Sequence, residues 1–311
     1  MRVLLLALFC ALAAGCARAA ETMEFVYPPP ESATDRRHTY YWELLDAALR
    51  SNRRQYGDYV LKPYRSAMSF ARAEAELEQG DGRVNIVARA TNRDLESRLR
   101  PIPLPLDKGL LGYRLLLIKA DKQAALDKLR SLDELKQFSI GQSPSWTDAG
   151  ILAGNGFKLE LSPNYEGLFQ MLGAGRFALF SRGINEIAAE WQTHKDAVPG
   201  LAIERHLMLH YPLPRYFFVP RTAAGERMAA RIEDGLRRLV ASGEFERRYR
   251  AYKKLVLADV SLSGRRVFEL SNPQLSPLAP PLDDHTWWDS LASELGRPHR
   301  SKQVDSRAKP D

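Results

Sequence analysis

The chain has 311 residues, of which 45% are hydrophobic, and its 45 lysines and arginines outnumber its 38 aspartates and glutamates by seven. This length is enough for two ordinary domains, each with a core of its own. The basic residues form no aligned stripe, so the composition gives no support to a nucleic-acid-binding protein. The basic excess fits either an exposed charged surface or an anionic ligand.

The first twenty residues have the pattern of a secretory signal peptide. Arg2 precedes an apolar run at residues 3–14, which is shorter than the roughly 20 residues that cross a bilayer, and an Ala-Arg-Ala sequence ends at Ala19. We therefore expect residues 1–20 to be removed and the mature protein to lie in the periplasm. The residues before Cys16 also resemble a lipobox, so a lipid anchor at Cys16 is the alternative.

Cysteine and histidine usage gives no sign of a bound metal. Both cysteines, Cys10 and Cys16, lie in the predicted signal peptide, so the mature protein is expected to have no disulfide and to depend on its hydrophobic core. The six histidines lack metal-ligand spacing, and the Gly-x-Gly sequences precede strands rather than link strand to helix. We expect neither a metal nor a cofactor.

Beyond residue 20, strand-like and helix-like segments alternate through most of the chain. Residues 40–53 carry apolar side chains on one helical face, and Ser131 with Glu134 forms a helix-capping pattern. The predicted strands are 23–27, 59–64, 84–88, 110–118, 138–141, 157–161, 176–180, 201–204, 207–209 and 216–219. The predicted helices are 40–53, 66–79, 94–98, 131–137, 148–153, 165–172, 184–192, 223–240 and 245–252. Such alternation predicts an α/β fold with helices on the faces of the sheets.

Several short sequences, taken in this order, resemble a known family. They are Pro-Leu-Asp-Lys-Gly-Leu-Leu-Gly-Tyr-Arg at 105–114, Ser-Leu-Asp-Glu-Leu at 131–135, Ile-Gly-Gln-Ser at 140–143, Gly-Arg-Phe-Ala at 175–178 and Tyr-Phe-Phe-Val at 216–219. Their order and spacing over residues 24–256 resemble the family 3 extracellular solute-binding proteins, which include the polar amino-acid receptors of ABC importers.

The resemblance implies a two-lobed α/β fold of the periplasmic binding protein type (type II), with two hinge crossovers and a ligand cleft between the lobes. It places the first lobe at residues 21–108 plus 208–260 and the second at 109–207. The hinge candidates are residues 110–112 and 205–207. Closure of two such lobes over a ligand is a common binding motion.

A C-terminal extension, predicted at 261–311, follows the two lobes. It is rich in proline, serine and charged residues, and we expect it to be partly disordered. Trp287 and Trp288 stand out from this polar setting. They either fold back onto the first lobe or form an interaction site.

The resemblance also points to the ligand. In the amino-acid receptors an arginine of the first lobe binds the ligand carboxylate, but here that position is Leu95, with Arg89 and Arg93 close by. An acidic residue of the second lobe holds the ligand ammonium, and here Arg182 takes its place. Arg182 opposes an ammonium and pairs with carboxylate or phosphate, so we expect an anionic or polar organic solute. The alternative is that Arg182 pairs with Glu186 and faces water.

Further candidates lie near the ends of predicted strands, where open α/β sheets bind ligands. Trp146 and Tyr165 could form apolar walls or belong to the core, and Gln142 and Ser143 precede a helix N-terminus that has N–H groups free for an anion. Glu31 and Ser32 follow the first strand and either contact the ligand or cap the next helix. The candidate ligand-binding residues are Glu31, Ser32, Arg89, Thr91, Arg93, Gln142, Ser143, Trp146, Tyr165 and Arg182.

Together these features predict a monomeric periplasmic solute-binding protein, not an enzyme, that captures a small molecule for the membrane permease of an ABC importer. One alternative is a ligand-sensing protein that acts on a membrane signalling partner. Another is a dehydratase-like enzyme on the same fold, for which Glu31, Glu166 and Lys108 are available. Nucleic acid is not expected as a partner.

Overall fold

The computed structural model describes residues 22–30, 38–66, 68, 70–80 and 83–296. The predicted signal peptide, Glu31 and Ser32 lie outside the described residues. Within the described part, every helix is too short or too polar to span a bilayer.

The first part of the chain alternates strands with helices, as the sequence predicts. Its elements are β1 (Met23–Tyr27), α1 (Thr39–Ser51), α2 (Arg53–Tyr56), β2 (Tyr59–Pro63), α3 (Phe70–Gln79), β3 (Val87–Ala90), α4 (Arg93–Arg98) and β4 (Arg100–Ile102). β1 pairs with β2 in parallel. The side chain of Asn92 accepts a hydrogen bond from the backbone N–H of Leu95 and so caps α4.

The middle of the chain holds more, shorter elements. They are β5 (Tyr113–Lys119), α5 (Gln123–Leu126), α6 (Leu132–Leu135), β6 (Ile140–Gln142), α7 (Thr147–Gly154), β7 (Leu159–Leu161), α8 (Tyr165–Gly173), β8 (Leu179–Gly183), α9 (Ile187–His194), β9 (Leu201–Ile203) and β10 (Leu207–His210). The capping box predicted at Ser131 and Glu134 is present at the start of α6.

The last elements return to the first part of the structure. They are β11 (Arg215–Val219), α10 (Ala223–Ala241), α11 (Glu244–Val256) and β12 (Arg266–Glu269). β11 lies between β3 and β4 and is antiparallel to both, and α10 packs on α1. The middle elements form a separate seven-stranded sheet in the order β12-β10-β5-β8-β6-β7, with β9 also paired to β5. The architecture is therefore the expected two-lobed α/β fold.

Both faces of each main sheet are buried. In β11 the side chains of Phe217 and Val219 enter one apolar cluster, whereas those of Tyr216 and Phe218 enter another on the opposite face. β5 alternates in the same way between two clusters of the second lobe. Because side chains along a strand point alternately to the two faces, such continuous apolar strands must be covered on both sides.

Two crossover segments, residues 103–112 and 211–214, run side by side between the lobes. The backbone N–H of Tyr211 donates to the carbonyl of Gly112 at 3.2 Å, and a Cβ on Gly112 would lie 2.1 Å from the Tyr211 oxygen, so this approach requires glycine. The lobe boundaries remain a prediction. The pairing of β10 with β5 favours a second crossover at 211–214, after the predicted hinge at 205–207.

Residues 262–296, which we call the strap, contact both lobes. β12 extends the second-lobe sheet by pairing in parallel with β10. Trp287 and Trp288, each 8% exposed, enter the main cluster of the first lobe, so they fold back onto it as one of the two expectations had it. Leu291 and Leu295 enter a cluster of the second lobe.

Asp289 fixes the strap to the lobes by hydrogen bonds. Its Oδ2 accepts from the Tyr249 hydroxyl at 2.6 Å and from Lys253 Nζ at 2.8 Å. Its backbone N–H donates to the carbonyl of Lys108, and its carbonyl accepts from the Tyr113 hydroxyl, both at 2.9 Å. Burial by itself would raise the pKa of Asp289, but the bonds from Lys253 and Tyr249 outweigh burial and lower it.

Replacing this carboxylate should reduce stability in a pH-dependent way. Asp289→Asn is expected to lower the free energy of unfolding by about 2 kcal/mol at pH 7, because it removes charge-assisted bonds. A folded pKa below the unfolded value near 4 gives stability above that pH, which is lost as the pH falls through the folded pKa. Urea unfolding at pH 7 and pH 3 should show the difference from wild type shrinking in acid. Asp283→Asn, exposed on the same strap, is the control.

Candidate functional site

A small cavity lies where the two lobes meet. Its volume is about 70 Å³, and it is lined by His38, Arg89, Ala90, Leu111, Arg114, Trp146, Thr147, Asp148, Arg182, Glu186 and Arg215. The lobes also bond directly across it, since Asn92 Nδ2 lies 3.0 Å from Thr147 Oγ1. Ligand pockets usually hold about 300–1,000 Å³, so the two lobes are closed on each other in this structure.

Arg182 is buried in this cavity among carboxylates and aromatic rings. Its Nε and Nη2 bind the two carboxylate oxygens of Glu190 at 2.6 and 2.5 Å, and Nη2 lies 3.0 Å from Glu186 Oε2. The guanidinium carbon is 4.5 Å from the centre of the Trp146 ring. The Arg182 side chain is 4% exposed, so it pairs with Glu186 as the alternative expected but does not face water.

The two carboxylates neutralise the charge of Arg182 within the second lobe. Burial by itself would lower the pKa of this guanidinium, but Glu190 and Glu186 outweigh burial and raise it. One positive charge therefore faces two negative charges, all largely buried. This arrangement does not leave Arg182 available to bind an anion unless one of its own carboxylates moves away.

Arg114 forms a second buried ion pair in the cavity. Its Nη2 is 3.2 Å from Asp148 Oδ1, and the Tyr211 hydroxyl donates to the same oxygen. Nη1 donates to the carbonyl of Leu111 at 3.1 Å, but the buried Nε has no hydrogen-bond partner. Burial by itself would lower the pKa of Arg114, but Asp148, Tyr211 and Glu186 together outweigh burial and raise it.

Arg215 is the corresponding guanidinium of the first lobe and is paired more loosely. It lies 3.9 Å from the buried Asp107 carboxylate, and its Nη1 is 3.3 Å from both the Ala88 carbonyl and His38 Nε2. Its guanidinium carbon is 4.8 Å from the centre of the Tyr41 ring. Its Nε is buried without a hydrogen-bond partner, like that of Arg114. Each lobe thus contributes to this cavity one buried guanidinium whose Nε–H has no hydrogen-bond partner.

Some of the candidates from the sequence meet at this cavity. Arg89, Trp146 and Arg182 line it. Arg89 also binds Glu74 at 2.8 Å. The Tyr165 hydroxyl donates to Glu190 at 2.9 Å, so Tyr165 supports the Arg182 cluster from behind.

Other candidates lie elsewhere among the described residues. Thr91 is buried and donates to Glu96, whereas Arg93 is exposed at the start of α4. Gln142 and Ser143 are buried but do not line the cavity, and Gln142 Nε2 lies 3.4 Å from the carbonyl of Ser181.

The most informative residues were missed as ligand-binding candidates. Arg114 and Arg215 lie within apolar strands, β5 and β11, and Asp148 lies at the start of α7. A charged residue inside an apolar strand is the signal that could have identified the two arginines, because burying an unpaired charge is costly. Arg182 itself lies inside β8 and not after the strand, because β8 runs three residues later than predicted.

Two of the residues considered for a dehydratase, Lys108 and Glu166, do not line the cavity. Lys108 binds Glu246 at 2.9 Å and is absent from the lining, and Glu166 is 65% exposed beside His194. Glu31 lies outside the described residues. Within the described ranges no cluster of side chains could hold a metal ion.

No family model and no curated protein matches the chain. Solved structures do match its fold. An ancestral arginine-binding protein bound to glutamine is 15% identical, with a TM-score of 0.53 over 74% of this chain and 97% of the other. The sensor domain of a histidine kinase with similarity to periplasmic binding proteins is 15% identical, with a TM-score of 0.53 over 75% and 96%.

A periplasmic binding protein of Salmonella typhimurium with high arginine specificity is 13% identical to the chain. Its TM-score is 0.51, over 75% of this chain and 99% of the other. At these identities the likeness concerns the fold, and it confirms the fold that the sequence resemblance implied. The chain therefore has the two-lobed α/β fold of the periplasmic binding proteins.

Proposed function

We propose that this protein binds a small organic solute through a carboxylate held between its two lobes. The observation that carries the proposal is the pair of buried guanidinium groups, Arg114 and Arg215, which come from different lobes, line one cavity and each keep an Nε–H without a partner. A carboxylate between them would supply the missing acceptors in short, charge-assisted bonds.

The charge of the lining supports a carboxylate, with or without an ammonium group. The cavity is lined by four guanidinium groups and two carboxylates. Arg182 is already neutralised by Glu186 and Glu190, so the anion expected at Arg182 from the sequence is better placed at Arg215, whose partner Asp107 is 3.9 Å away. Glu186 also lines the cavity while it pairs with Arg182, so the lining accommodates a ligand ammonium as well.

Ligand entry requires the lobes to separate. A cavity of about 70 Å³ holds a few water molecules and no amino acid. Opening about the adjacent crossovers at 103–112 and 211–214 would break the bonds from Asn92 to Thr147 and from Asn185 to Tyr252, and would separate Tyr252 and Val256 of α11 from the second-lobe cluster on which they pack. A ligand that favours the closed form then shifts the equilibrium by its differential affinity.

A thermal-shift screen of the mature protein against small carboxylates, amino acids and sugars tests the proposal. A carboxylate should raise the melting temperature by mass action, and titration calorimetry should show that Arg215→Lys weakens its binding by roughly 10- to 100-fold. Lysine keeps a positive charge beside Asp107 but lacks the planar fork that binds a carboxylate. The exposed Arg227→Lys is the control. Binding confined to sugars, unaffected by Arg215→Lys, would contradict the proposal.

The partner is proposed to be the membrane permease of an ABC importer, and the protein a periplasmic monomer without enzymatic activity. The fold is equally similar to the sensor domain of a histidine kinase, which supports sensing as the second candidate function. Affinity purification of the tagged mature protein from crosslinked cells distinguishes them. A permease among the captured membrane proteins supports transport, and a receptor kinase supports sensing.

A further inference from the structure

A larger groove opens in the first lobe beside the cavity. It has a volume of about 480 Å³ and lies between α1 and the ends of β1, β2 and β3. This volume falls within the usual range for small-molecule pockets, unlike that of the closed cavity. Neither the residues predicted from the sequence nor the buried arginines described above account for it, except for Arg89 at its edge.

The walls of this groove are aromatic and apolar. Tyr27 and Trp42 stack with their ring centres 4.3 Å apart, and Leu61 faces the same space. Residues 28–30 are three consecutive prolines, which have no N–H to donate and a fixed φ, so this wall is rigid and nonpolar. Planar rings bind such a surface better than polar chains do.

The groove adjoins the cavity. His38 and Arg89 line both spaces, and His38 Nε2 lies 3.3 Å from Arg215. Glu43, which is exposed, and Asp46, which accepts a hydrogen bond from the Tyr59 hydroxyl at 2.6 Å, line the groove one to two turns along α1 from His38 and form its acidic rim. A ligand that extends from Arg215 into the groove therefore meets a cationic end, an apolar middle and an acidic rim.

We infer that the solute is an aromatic monocarboxylate, whose carboxylate binds Arg215 and Arg114 and whose ring occupies the groove beside Trp42. This inference rests on the proposed function and adds to it the class of ligand. The acidic rim disfavours a second negative charge at the far end of the ligand. The apolar walls favour a hydrocarbon ring between the two ends.

Titration calorimetry with propionate and 3-phenylpropionate tests the inference, because the two probes differ only by a phenyl ring. The dissociation constant of 3-phenylpropionate should be at least tenfold lower than that of propionate, because burial of the aromatic ring adds binding free energy. 3-Phenylpropanol, which lacks the charge, should bind at least tenfold more weakly than 3-phenylpropionate.

Two variants locate the ring. Leu61→Trp should fill the groove and remove the advantage of 3-phenylpropionate, while the binding of propionate stays within twofold. Val60→Trp is its matched control, because Val60 precedes Leu61 on β2 and is 41% exposed. Trp42→Leu should weaken 3-phenylpropionate by threefold or more without changing propionate. Melting temperatures of all three variants establish that they are folded.

The outcomes separate this inference from the proposed function. Equal affinities for the two acids, both reduced by Arg215→Lys, would overturn the aromatic ligand and leave the carboxylate site standing. An advantage of the phenyl ring that survives both Leu61→Trp and Trp42→Leu would also overturn it. The absence of binding by any carboxylate would overturn both.

Discussion

Deletion of residues 262–311 is expected to lower the melting temperature by at least about 10 °C. The strap contributes a strand to the second-lobe sheet and buries four large apolar side chains against the two lobes, Trp287, Trp288, Leu291 and Leu295. Burial of one such side chain contributes about 1.5–3 kcal/mol, offset in part by the entropy of ordering the segment. A net loss of about 4 kcal/mol corresponds to a shift of this size in a protein of this length.

The matched control is deletion of residues 297–311 alone, which retains every contact described for the strap. Its melting temperature should stay within about 2 °C of the full mature protein. Differential scanning calorimetry of both truncations compares them directly. Equal melting temperatures for the two truncations would show that the strap is not part of the folded core.

The strap also contacts both crossovers, so its position is coupled to any motion of the lobes. Asn272 Nδ2 donates to the carbonyl of Pro212 at 2.8 Å, and the Asp289 N–H donates to the carbonyl of Lys108 at 2.9 Å. The six-membered ring of Trp288 covers Gly109, where a Cβ would lie 2.5 Å from it. Opening of the lobes must therefore move the strap together with the crossovers, or break these contacts.

The sequence predicted most elements because their signals are local. α10 was expected at 223–240 and is found at Ala223–Ala241, with Thr222 as its cap. β12 was missed because it is only four residues long, in a proline-rich region. Its place depends on pairing with β10, about sixty residues earlier, and no periodicity within the segment reports such a contact.

The candidate site was predicted less well, because it depends on strand register and on contacts between the lobes. Arg182 was expected after the strand, but it lies inside β8. The pairing of β8 with β5 places Arg182 opposite Leu115. In the same register Arg114 lies opposite Gly183, and a Cβ there would come within 3.1 Å of the Arg114 guanidinium. Neither fact can be read from one segment alone. The resemblance to amino-acid receptors carried over positions, Leu95 and Arg182, whose chemistry differs in this chain.

Replacement of Arg182 is expected to be among the most destabilising single changes in the protein. Arg182→Met would leave Glu186 and Glu190, 14% and 5% exposed, as neighbouring buried carboxylates without their cation. Breaking a buried ion pair in this way typically costs about 3–5 kcal/mol. Urea unfolding at pH 7.5 should show a loss of that size, whereas Arg176→Met, an exposed arginine of the same lobe, should change the stability little.

Arg182→Met combined with Glu190→Met should recover at least half of the loss at pH 7.5 by removing one unpaired charge. A variant as stable as wild type at pH 7.5 would contradict the burial of this pair. It would leave Arg182 available to a ligand, in the role that we propose for Arg114 and Arg215.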